Sequence, residues 1–221
     1  MSKRTLSTLV LGKILSRAQK ASGFVADPFD IDEIEAILEA CENNQKRNMF
    51  RFAFGTGMRP SEYIALKWKS VNFDKSFVSV AETFVDGEED EEGKTLLSMR
   101  DIDLRKFAFD ALSDQSAYKT ASENLVFLNP MENKQWTGDK QIRERWRRIL
   151  KLANVRYRNP YQTRHTFASS LLMLDKNQLY VATQLGHANT SMITKHYGKW
   201  IKRGLDGDKR IRLEAIFSTT F

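Results

Sequence analysis

The sequence has little cysteine and no long apolar run, and each absence excludes a class of protein. Cys41 is the only cysteine in 221 residues, so the sequence offers neither an internal disulfide nor a cysteine-based zinc site. A single unpaired cysteine is typical of proteins in a reducing cytoplasm. No segment approaches the roughly 18 apolar residues of a membrane span. The apolar patch at residues 9–11 is followed by Lys13 and Arg17, which disfavours a secretory signal.

Charge is abundant but unevenly distributed along the chain. The formal net charge is +7, residues 86–92 carry six acids in seven positions, and residues 134–212 carry 18 Lys/Arg against 5 Asp/Glu. A basic half of this kind indicates a polyanion such as nucleic acid as partner, although a well-solvated surface has the same composition. The 41% hydrophobic content fits a globular protein with a sizeable core.

The hydrophobic pattern predicts a mainly α-helical chain with a small antiparallel β-sheet, an α+β fold. One predicted helix begins at Asp30, where Asp30 and Glu33 form a capping box, and two further helices carry Arg164 and Tyr197. The other predicted helices cover residues 7–21, 46–54, 61–67, 107–112, 139–153 and 179–185. The predicted strands cover residues 68–73, 77–84 and 96–104, with the acidic run 86–92 as the loop between the last two.

The segment 139–153 has the clearest amphipathic pattern. Ile142, Trp146 and Ile149 fall on one side of the predicted helix. Four basic side chains line the opposite side, namely Lys140, Arg143, Arg147 and Lys151. Such a stripe is usually a solvated face, and it is also suited to follow the phosphates of DNA.

Two arginines and a tyrosine are residue types suited to attack on a phosphodiester. Arg59 follows two glycines and precedes Pro60, a typical first residue of a helix, whose start favours an anion. Arg59 and Arg164 carry rigid guanidinium groups that match the negative charge developing on the phosphate oxygens. Tyr197 is the candidate nucleophile, and with an ordinary pKa of about 10 it needs positive neighbours. Taken singly, each residue also has a structural interpretation, as a capping arginine or a core aromatic.

Five motifs resemble the catalytic boxes of the tyrosine recombinases, the family of phage and integrative-element integrases. In chain order they are Gly-Thr-Gly-Met-Arg-Pro-Ser-Glu at 55–62, a hairpin lysine at Lys94, Tyr-Gln-Thr-Arg-His-Thr-Phe-Ala-Ser at 161–169, Leu-Gly-His at 185–187, and Tyr197. Lys94 is followed by Arg-Asp-Ile-Asp-Leu at 100–104, which is similar to the extended Arg-x-Ile-x-Leu pattern of the family. The resemblance covers roughly residues 30–201.

The resemblance assigns a direct role to five residues. It implies that Arg59 and Arg164 hold the scissile phosphate and that His187 hydrogen-bonds to it. Lys94 is implied as the general acid for the leaving 5′-hydroxyl. Tyr197 is implied as the nucleophile that forms a covalent 3′-phosphotyrosyl intermediate, which preserves the energy of the broken bond for rejoining.

The resemblance also implies supporting roles and a fold. Glu62 and His165 are expected to orient their neighbours rather than to touch DNA. Lys195 and Lys199 flank Tyr197 and are candidate DNA contacts together with the basic stripe. The implied fold is a helical catalytic domain with a small antiparallel sheet on one edge, and the implied reaction requires no metal and no nucleotide cofactor.

Two positions depart from the usual pattern of the family. Tyr161 stands where the second box usually begins with histidine, and a phenol donates a hydrogen bond well but is a poor base at neutral pH. The ten residues from His187 to Tyr197 are one more than the commonest spacing. The sequence Asn-Pro-Tyr-Gln-Thr-Arg-His and the longer spacing both resemble integrases of some prophages and integrative elements, so we interpret them as subfamily features.

The resemblance predicts three segments. Residues 1–29 resemble the last helix of a core-binding domain with its linker, residues 30–204 the catalytic domain, and residues 205–221 a tail that packs either on its own domain or on a neighbouring protomer. The apolar positions of the tail are Ile211, Leu213, Ile216 and Phe217.

The implied partners are those of a site-specific recombinase in the bacterial cytoplasm. They are double-stranded DNA attachment sites, three further copies of the chain in a homotetramer on DNA, an excisionase and a DNA-bending host protein, with a monomer expected in the absence of DNA. Two alternatives share parts of the pattern. A type IB topoisomerase uses the same chemistry to relax supercoils without sequence choice, and a catalytically silent recombinase remnant only binds DNA.

Overall fold

The computed structural model describes residues 26–81, 84–85, 88–89, 99–119, 124–201 and 206–218. The helices are α1 (Ile31–Glu39), α2 (Asn44–Thr56), α3 (Pro60–Tyr63), α4 (Lys106–Ser116), α5 (Asp139–Leu152), α6 (Gln162–Met173), α7 (Gln178–Leu185), α8 (Ser191–Ile201) and α9 (Gly207–Phe217). The strands are β1 (Val71–Asn72), β2 (Phe77–Val80), β3 (Phe84–Val85), β4 (Glu88–Glu89) and β5 (Arg100–Asp103). The mainly helical fold with a small antiparallel sheet confirms the prediction. The predicted helix at residues 7–21 lies outside the described residues, and none of the helices in the described part is long and apolar enough to cross a membrane.

The first helix begins at the capping box that the sequence predicts. The Glu33 N–H donates to Asp30 Oδ1 at 2.9 Å, and the Asp30 N–H donates to Glu33 Oε2 at 3.0 Å. These bonds satisfy two N–H groups that a helix start otherwise leaves unpaired. The next helix, α2, ends at Gly57, whose φ of +63° places it in the left-handed region that favours glycine.

The main hydrophobic core is built around Trp146 on the buried side of α5. The rings of Phe50, Phe29 and Phe54 lie with centroids 4.7, 5.7 and 6.2 Å from the Trp146 ring. Trp146 Nε1 donates to the Arg158 carbonyl at 2.7 Å and so ties α5 to the segment that leads into α6. The amphipathic prediction for α5 is confirmed, since Ile142, Trp146 and Ile149 are buried and the four basic residues of the opposite side are exposed.

A small antiparallel sheet with the strand order β1-β2-β5 lies against this core. Two predictions next to it are wrong. The predicted helix 61–67 is limited to α3, and residues 68–70 form a 3₁₀ turn instead of the start of a strand. The physical reason is tertiary, because the Trp68 N–H donates to the Asn124 carbonyl at 2.8 Å and the Val126 N–H donates to the Leu66 carbonyl at 2.8 Å. This pairing with a distant segment ends the helix.

The predicted strand 77–84 is divided between two sheets. β2 ends at Val80, whereas β3 pairs with β4 in a separate two-stranded sheet with Phe84 opposite Glu89 and Val85 opposite Glu88. The acidic run, predicted to be a loop, therefore contributes a strand. Asp86 and Gly87 stand between β3 and β4, and an Asp-Gly dipeptide is typical of two-residue hairpins. This dipeptide is the feature of the sequence that indicates paired strands within the acidic run.

The C-terminal helix α9 packs on its own chain, against a second core formed mainly by α6, α7 and α8. The Phe217 ring lies 6.0 Å from the Phe167 ring, and Arg105 Nη1 donates to the Phe217 carbonyl at 2.6 Å. Leu213, Ile216 and Phe217 are buried, but Ile211 is 67% exposed, so three of the four apolar residues of the tail form the contact. Residues 213, 216 and 217 share one face of a helix, and residue 211 falls outside it.

We expect Gly57→Ala to lower the free energy of unfolding by about 3 kcal/mol, since alanine is strained at positive φ and its methyl group overpacks the site. A Cβ at Gly57 would lie 2.6 Å from Phe167 Cδ1. The matched control is Gly198→Ala inside α8, where a Cβ meets nothing within 4 Å. The control should gain about 1 kcal/mol from helix propensity. Urea denaturation measures both, and equal effects of the two substitutions would contradict the prediction.

Candidate active site

Arg59 is held in place by a carboxylate three residues further along the chain. Arg59 is the N-cap of α3, and its N–H donates to Glu62 Oε2 at 2.7 Å while its guanidinium Nη1 donates to Glu62 Oε1 at 2.6 Å. The Glu62 side chain is only 1% exposed, whereas that of Arg59 is 33% exposed. Burial works against the charged form of Arg59, but Glu62 and Tyr161 outweigh it and raise the pKa of the guanidinium. Arg59 therefore presents a fixed positive charge to solvent.

Arg100 on β5 joins the same carboxylate, and its part in the site was missed from the sequence. Its Nη1 and Nη2 donate to the two oxygens of Glu62, each at 3.0 Å, and its Nε donates to the Gln184 carbonyl at 2.8 Å. The Arg100 side chain is 4% exposed. The sequence feature that indicates this role is the spacing of two residues between Arg100 and Ile102, which places the arginine on the inward face of the strand. This one side chain connects the sheet, α3 and the end of α7.

Arg164 lies in the interior of the site. Its guanidinium Nη1 donates to the Gly57 carbonyl at 3.0 Å, and its Nη2 donates to the Leu185 carbonyl. Gly57 precedes Arg59 by two residues and Leu185 precedes His187 by two, so Arg164 links the segments that carry them. Burial lowers the pKa of Arg164 to about 10, which still leaves the guanidinium charged at neutral pH.

Glu62 is the only carboxylate among the described residues that hydrogen-bonds to Arg59 or Arg100. Burial alone would raise the pKa of Glu62, but the neighbouring charges of Arg100, Arg164 and Arg59 outweigh it and hold the pKa at about 2. Three guanidinium groups thus surround one ionised carboxylate. The surplus of positive charge makes this part of the molecule a favourable environment for an anion.

His187 stands at the edge of this positive cluster. It follows Gly186, which ends α7 with φ +67°. Burial and then the charges of Arg164 and Arg59 lower the pKa of His187 to about 4, so its imidazole is neutral at physiological pH. Within the described part of the chain, Nδ1 of His187 is buried without a hydrogen-bond partner. A neutral imidazole in this position can donate a hydrogen bond to an anion.

Tyr197 on α8 contacts His165 on α6. The Tyr197 hydroxyl lies 2.5 Å from His165 Nδ1, and the ring centroids lie 5.4 Å apart. Tyr197 is buried, and burial raises the pKa of its phenol although the charge of Arg164 lowers it. Burial, with the charge of Arg164, lowers the pKa of His165 to about 3. The pair is therefore neutral, a phenol joined to an imidazole.

Tyr161 links this pair to the arginines. Its ring centroid lies 5.3 Å from that of His165, and its phenol is close enough to Arg59 to favour the charged form of that guanidinium. It also borders a cavity of about 440 Å³ that reaches the basic side of α5. The residues lining the cavity are Pro60, Asp139, Ile142, Arg143, Asn159, Pro160 and Tyr161.

The remaining candidates lie further from the cluster or beyond the described residues. Lys94 lies outside the described residues, and so does the side chain of Lys199 on α8. Lys195 is exposed on the same helix. The structure thus brings together six of the candidate residues, together with Arg100. These six are Arg59, Glu62, Tyr161, Arg164, His165 and Tyr197, with His187 at the edge through its electrostatic contacts.

Comparison with known proteins adds independent observations. A profile of the Phage integrase family matches residues 28–201. Prophage integrase IntR of Escherichia coli (strain K12) is 31% identical over 197 residues, which cover 79% of this chain and 48% of that protein. Tyrosine recombinase XerD of Staphylococcus aureus is 28% identical over 197 residues, which cover 84% of this chain and 63% of that protein. The chain spans about half the length of IntR and under two thirds of that of XerD.

Solved structures show the same fold at lower identity. The Tn1549 transposon integrase in complex with circular intermediate DNA superposes with a TM-score of 0.70 at 19% identity, over 86% of this chain and 67% of that one. The catalytic domain of bacteriophage HP1 integrase superposes with a TM-score of 0.57 at 19% identity, over 81% of this chain and 90% of that one. The arrangement of helices around the small sheet is therefore shared with both.

Proposed function

The chain belongs to the phage integrase family of tyrosine recombinases, and from this membership we propose that it breaks and rejoins DNA strands at specific sites through Tyr197. The observation that carries the proposal is the placement of Tyr197 beside a buried cluster of guanidinium groups with a single carboxylate. Such a cluster favours the extra negative charge of a phosphate under attack. The product of the first step is a 3′-phosphotyrosyl bond, which conserves the energy needed for rejoining.

We assign the phosphate site to Arg59, Arg164 and His187. Arg59 supplies a charge that is one third exposed to solvent, and Arg164 supplies a charge that two backbone carbonyls hold in one orientation. His187 adds a neutral donor whose buried Nδ1 has no partner in the described part of the chain. The donors are fixed before the substrate arrives, so little reorganisation is needed as charge develops. Tyr161 adds a phenol beside Arg59 as a further donor to the same phosphate.

We assign the DNA-binding surface to the exposed side of α5. The four residues Lys140, Arg143, Arg147 and Lys151 are exposed along this helix, and the cavity beside Tyr161 connects it to the site. Contacts of this type go to phosphates and carry no sequence information. Lys195 extends the positive surface on α8, and Lys199 is proposed with it. The Tn1549 integrase and XerH structures are complexes with DNA, which supports duplex DNA as the partner.

Lys94 is proposed as the donor of the proton that the leaving 5′-oxygen requires. It stands six residues before Arg100 on the connection that leads into β5. Arg100 holds β5 to Glu62 and to the end of α7, and so fixes the strand into which this connection leads. An ammonium group suits the role because lysine pKa values respond strongly to their surroundings.

A complete recombination event exchanges four strands, so we propose that four copies act together on paired attachment sites. The proposed accessory partners are an excisionase and a DNA-bending host protein. Support comes from the relatives, which include a prophage integrase and Xer recombinases. In this proposal residues 30–204 are the catalytic domain and α9 belongs to a C-terminal tail.

The test of this function is a covalent DNA adduct. The 221-residue chain is incubated with nicked duplexes that carry a randomised central stretch, adducts are recovered after denaturation, and their sequences define the substrate. We expect adducts with an enriched sequence, and we expect Tyr197→Phe to remove them completely because no other oxygen occupies that position. Tyr118→Phe, an exposed tyrosine beyond α4, is the matched control and should form adducts normally.

Three outcomes would contradict the proposal. Adduct formation by Tyr197→Phe would show that a residue other than Tyr197 is the nucleophile. Failure of the unsubstituted chain to form any adduct would support a silent DNA-binding protein. Relaxation of a supercoiled plasmid that lacks the enriched sequence would support the topoisomerase alternative.

A further inference from the structure

The proton of the nucleophile needs an acceptor that the resemblance alone does not supply. A phenol attacks phosphorus effectively only when its O–H bond breaks as the new bond forms. The place of the usual histidine is taken by Tyr161, which is itself a phenol and a poor base at neutral pH. A different group must therefore remove the proton of Tyr197.

His165 is the one described side chain that the structure shows hydrogen-bonded to the Tyr197 hydroxyl. The distance from Nδ1 to the hydroxyl oxygen is 2.5 Å, within the reach of a general base. Both side chains are buried. His165 follows Arg164 on α6, so the helix that positions the phosphate-binding guanidinium also positions the imidazole. Neither of the other two histidines hydrogen-bonds to this hydroxyl within the described part of the chain.

We propose that His165 is the catalytic base that accepts the proton of Tyr197, an inference that rests on the proposed function. As the Tyr197 oxygen forms its bond to phosphorus, the O–H bond breaks and its proton moves to Nδ1 of His165. The bond from phosphorus to the 5′-oxygen breaks, and that oxygen takes a proton from Lys94. In rejoining, the 5′-hydroxyl attacks phosphorus and returns its proton to Lys94, and the imidazolium of His165 returns its proton to the departing Tyr197 oxygen.

The surroundings of the imidazole keep it neutral until substrate binds. Burial, and then the charge of Arg164, disfavours a second proton on His165, so only one of its two ring nitrogens carries a proton before substrate binds. The charge of a bound phosphate offsets that of Arg164, so an imidazolium becomes more favourable when substrate is present. The Tyr161 ring also lies beside the imidazole, with ring centroids 5.3 Å apart.

The test compares two substitutions of His165 on the enriched nicked duplex defined by the adduct experiment. His165→Asn places an amide near the position of Nδ1, which can hydrogen-bond to the hydroxyl but cannot take up its proton. His165→Leu removes both abilities. We expect each variant to lose about 100-fold or more in the rate of adduct formation, the usual contribution of a general base. His196→Asn is the matched control, since His196 neighbours Tyr197 in the chain but does not hydrogen-bond to its hydroxyl in the described part of the structure. This variant should react at the unsubstituted rate.

A second substrate separates the two proton transfers. A duplex with a 5′-phosphorothiolate at the cleavage position has a leaving group that needs no proton. We expect this substrate to restore adduct formation by Lys94→Ala and not by His165→Asn. Thermal denaturation of the variants shows whether they fold, and a folded His165→Asn that cleaves at the rate of the unsubstituted chain would overturn the proposal. Because the unsubstituted chain must form adducts in the same experiment, that outcome would leave the proposed function intact.

Discussion

Replacing Arg164 by lysine is expected to slow DNA cleavage by about 10²–10³-fold, the usual effect of removing one preorganised donor from a charged transition state. The guanidinium of Arg164 reaches the carbonyls of Gly57 and Leu185 at the same time. An ammonium group is a compact point charge without the planar fork, so it cannot satisfy both carbonyls and also face a phosphate in a fixed direction. The charge is retained but its orientation is lost.

The measurement is the single-turnover rate of adduct formation on the enriched duplex, with duplex affinity measured separately. Affinity should change little, because most binding energy comes from phosphate contacts elsewhere. Arg210→Lys on α9 is the matched control, since Arg210 donates to the surface carboxylates of Glu214 and Asp175. Arg164→Lys with full activity would show that orientation of this charge does not matter.

Replacing Glu62 by glutamine is expected to lower the free energy of unfolding at neutral pH by about 3 kcal/mol. Glu62 has a pKa of about 2 in the folded chain against 4.5 for an ordinary glutamate. An amide presents N–H groups to the N–H groups of Arg100 and leaves a buried positive charge without its partner. Breaking a buried ion pair in this way is costly. Glu132→Gln, an exposed glutamate, is the matched control and should have little effect.

The lowered pKa of Glu62 also predicts how the free energy of unfolding depends on pH. Because the folded pKa of Glu62 is depressed, its stabilising contribution is complete above the unfolded value of about 4.5 and is lost as the pH falls towards 2. The difference in unfolding free energy between the unsubstituted chain and Glu62→Gln should therefore narrow over that range. Denaturant titrations at several pH values measure it, and a difference that stays constant from neutral pH to pH 3 would show that Glu62 is not the titrating group.

The contacts of Arg100 could not be predicted from the sequence. The sequence shows the Arg-x-Ile-x-Leu pattern, and alternation along a strand puts Arg100 on the same face as Ile102. Its partner Glu62 lies 38 residues away, and its second partner, the Gln184 carbonyl, lies 84 residues away. A backbone carbonyl has no signature in the sequence, because every residue carries one. The role of Arg100 as a bridge was therefore visible only in three dimensions.

Local chemistry determined what the sequence could predict by itself. The capping box at Asp30, the amphipathic pattern of α5 and the end of α7 at Leu185 depend on neighbours within a few residues, and all three appear as predicted. The early end of α3 and the division of the predicted strand 77–84 depend on pairing with other segments, which local pattern does not encode. The motifs likewise identified the residue types of the site because the chemistry requires them.

Tertiary structure decided how those residues are combined. The sequence indicated that an arginine, a carboxylate, a histidine and a tyrosine belong to one site, and it placed His165 among the residues that orient others. Only the packing of α6 against α8 brings the imidazole of His165 to the hydroxyl of Tyr197. Hydrogen bonds act over about 3 Å, and a distance of that size between residues 32 positions apart is set by the packing of whole helices.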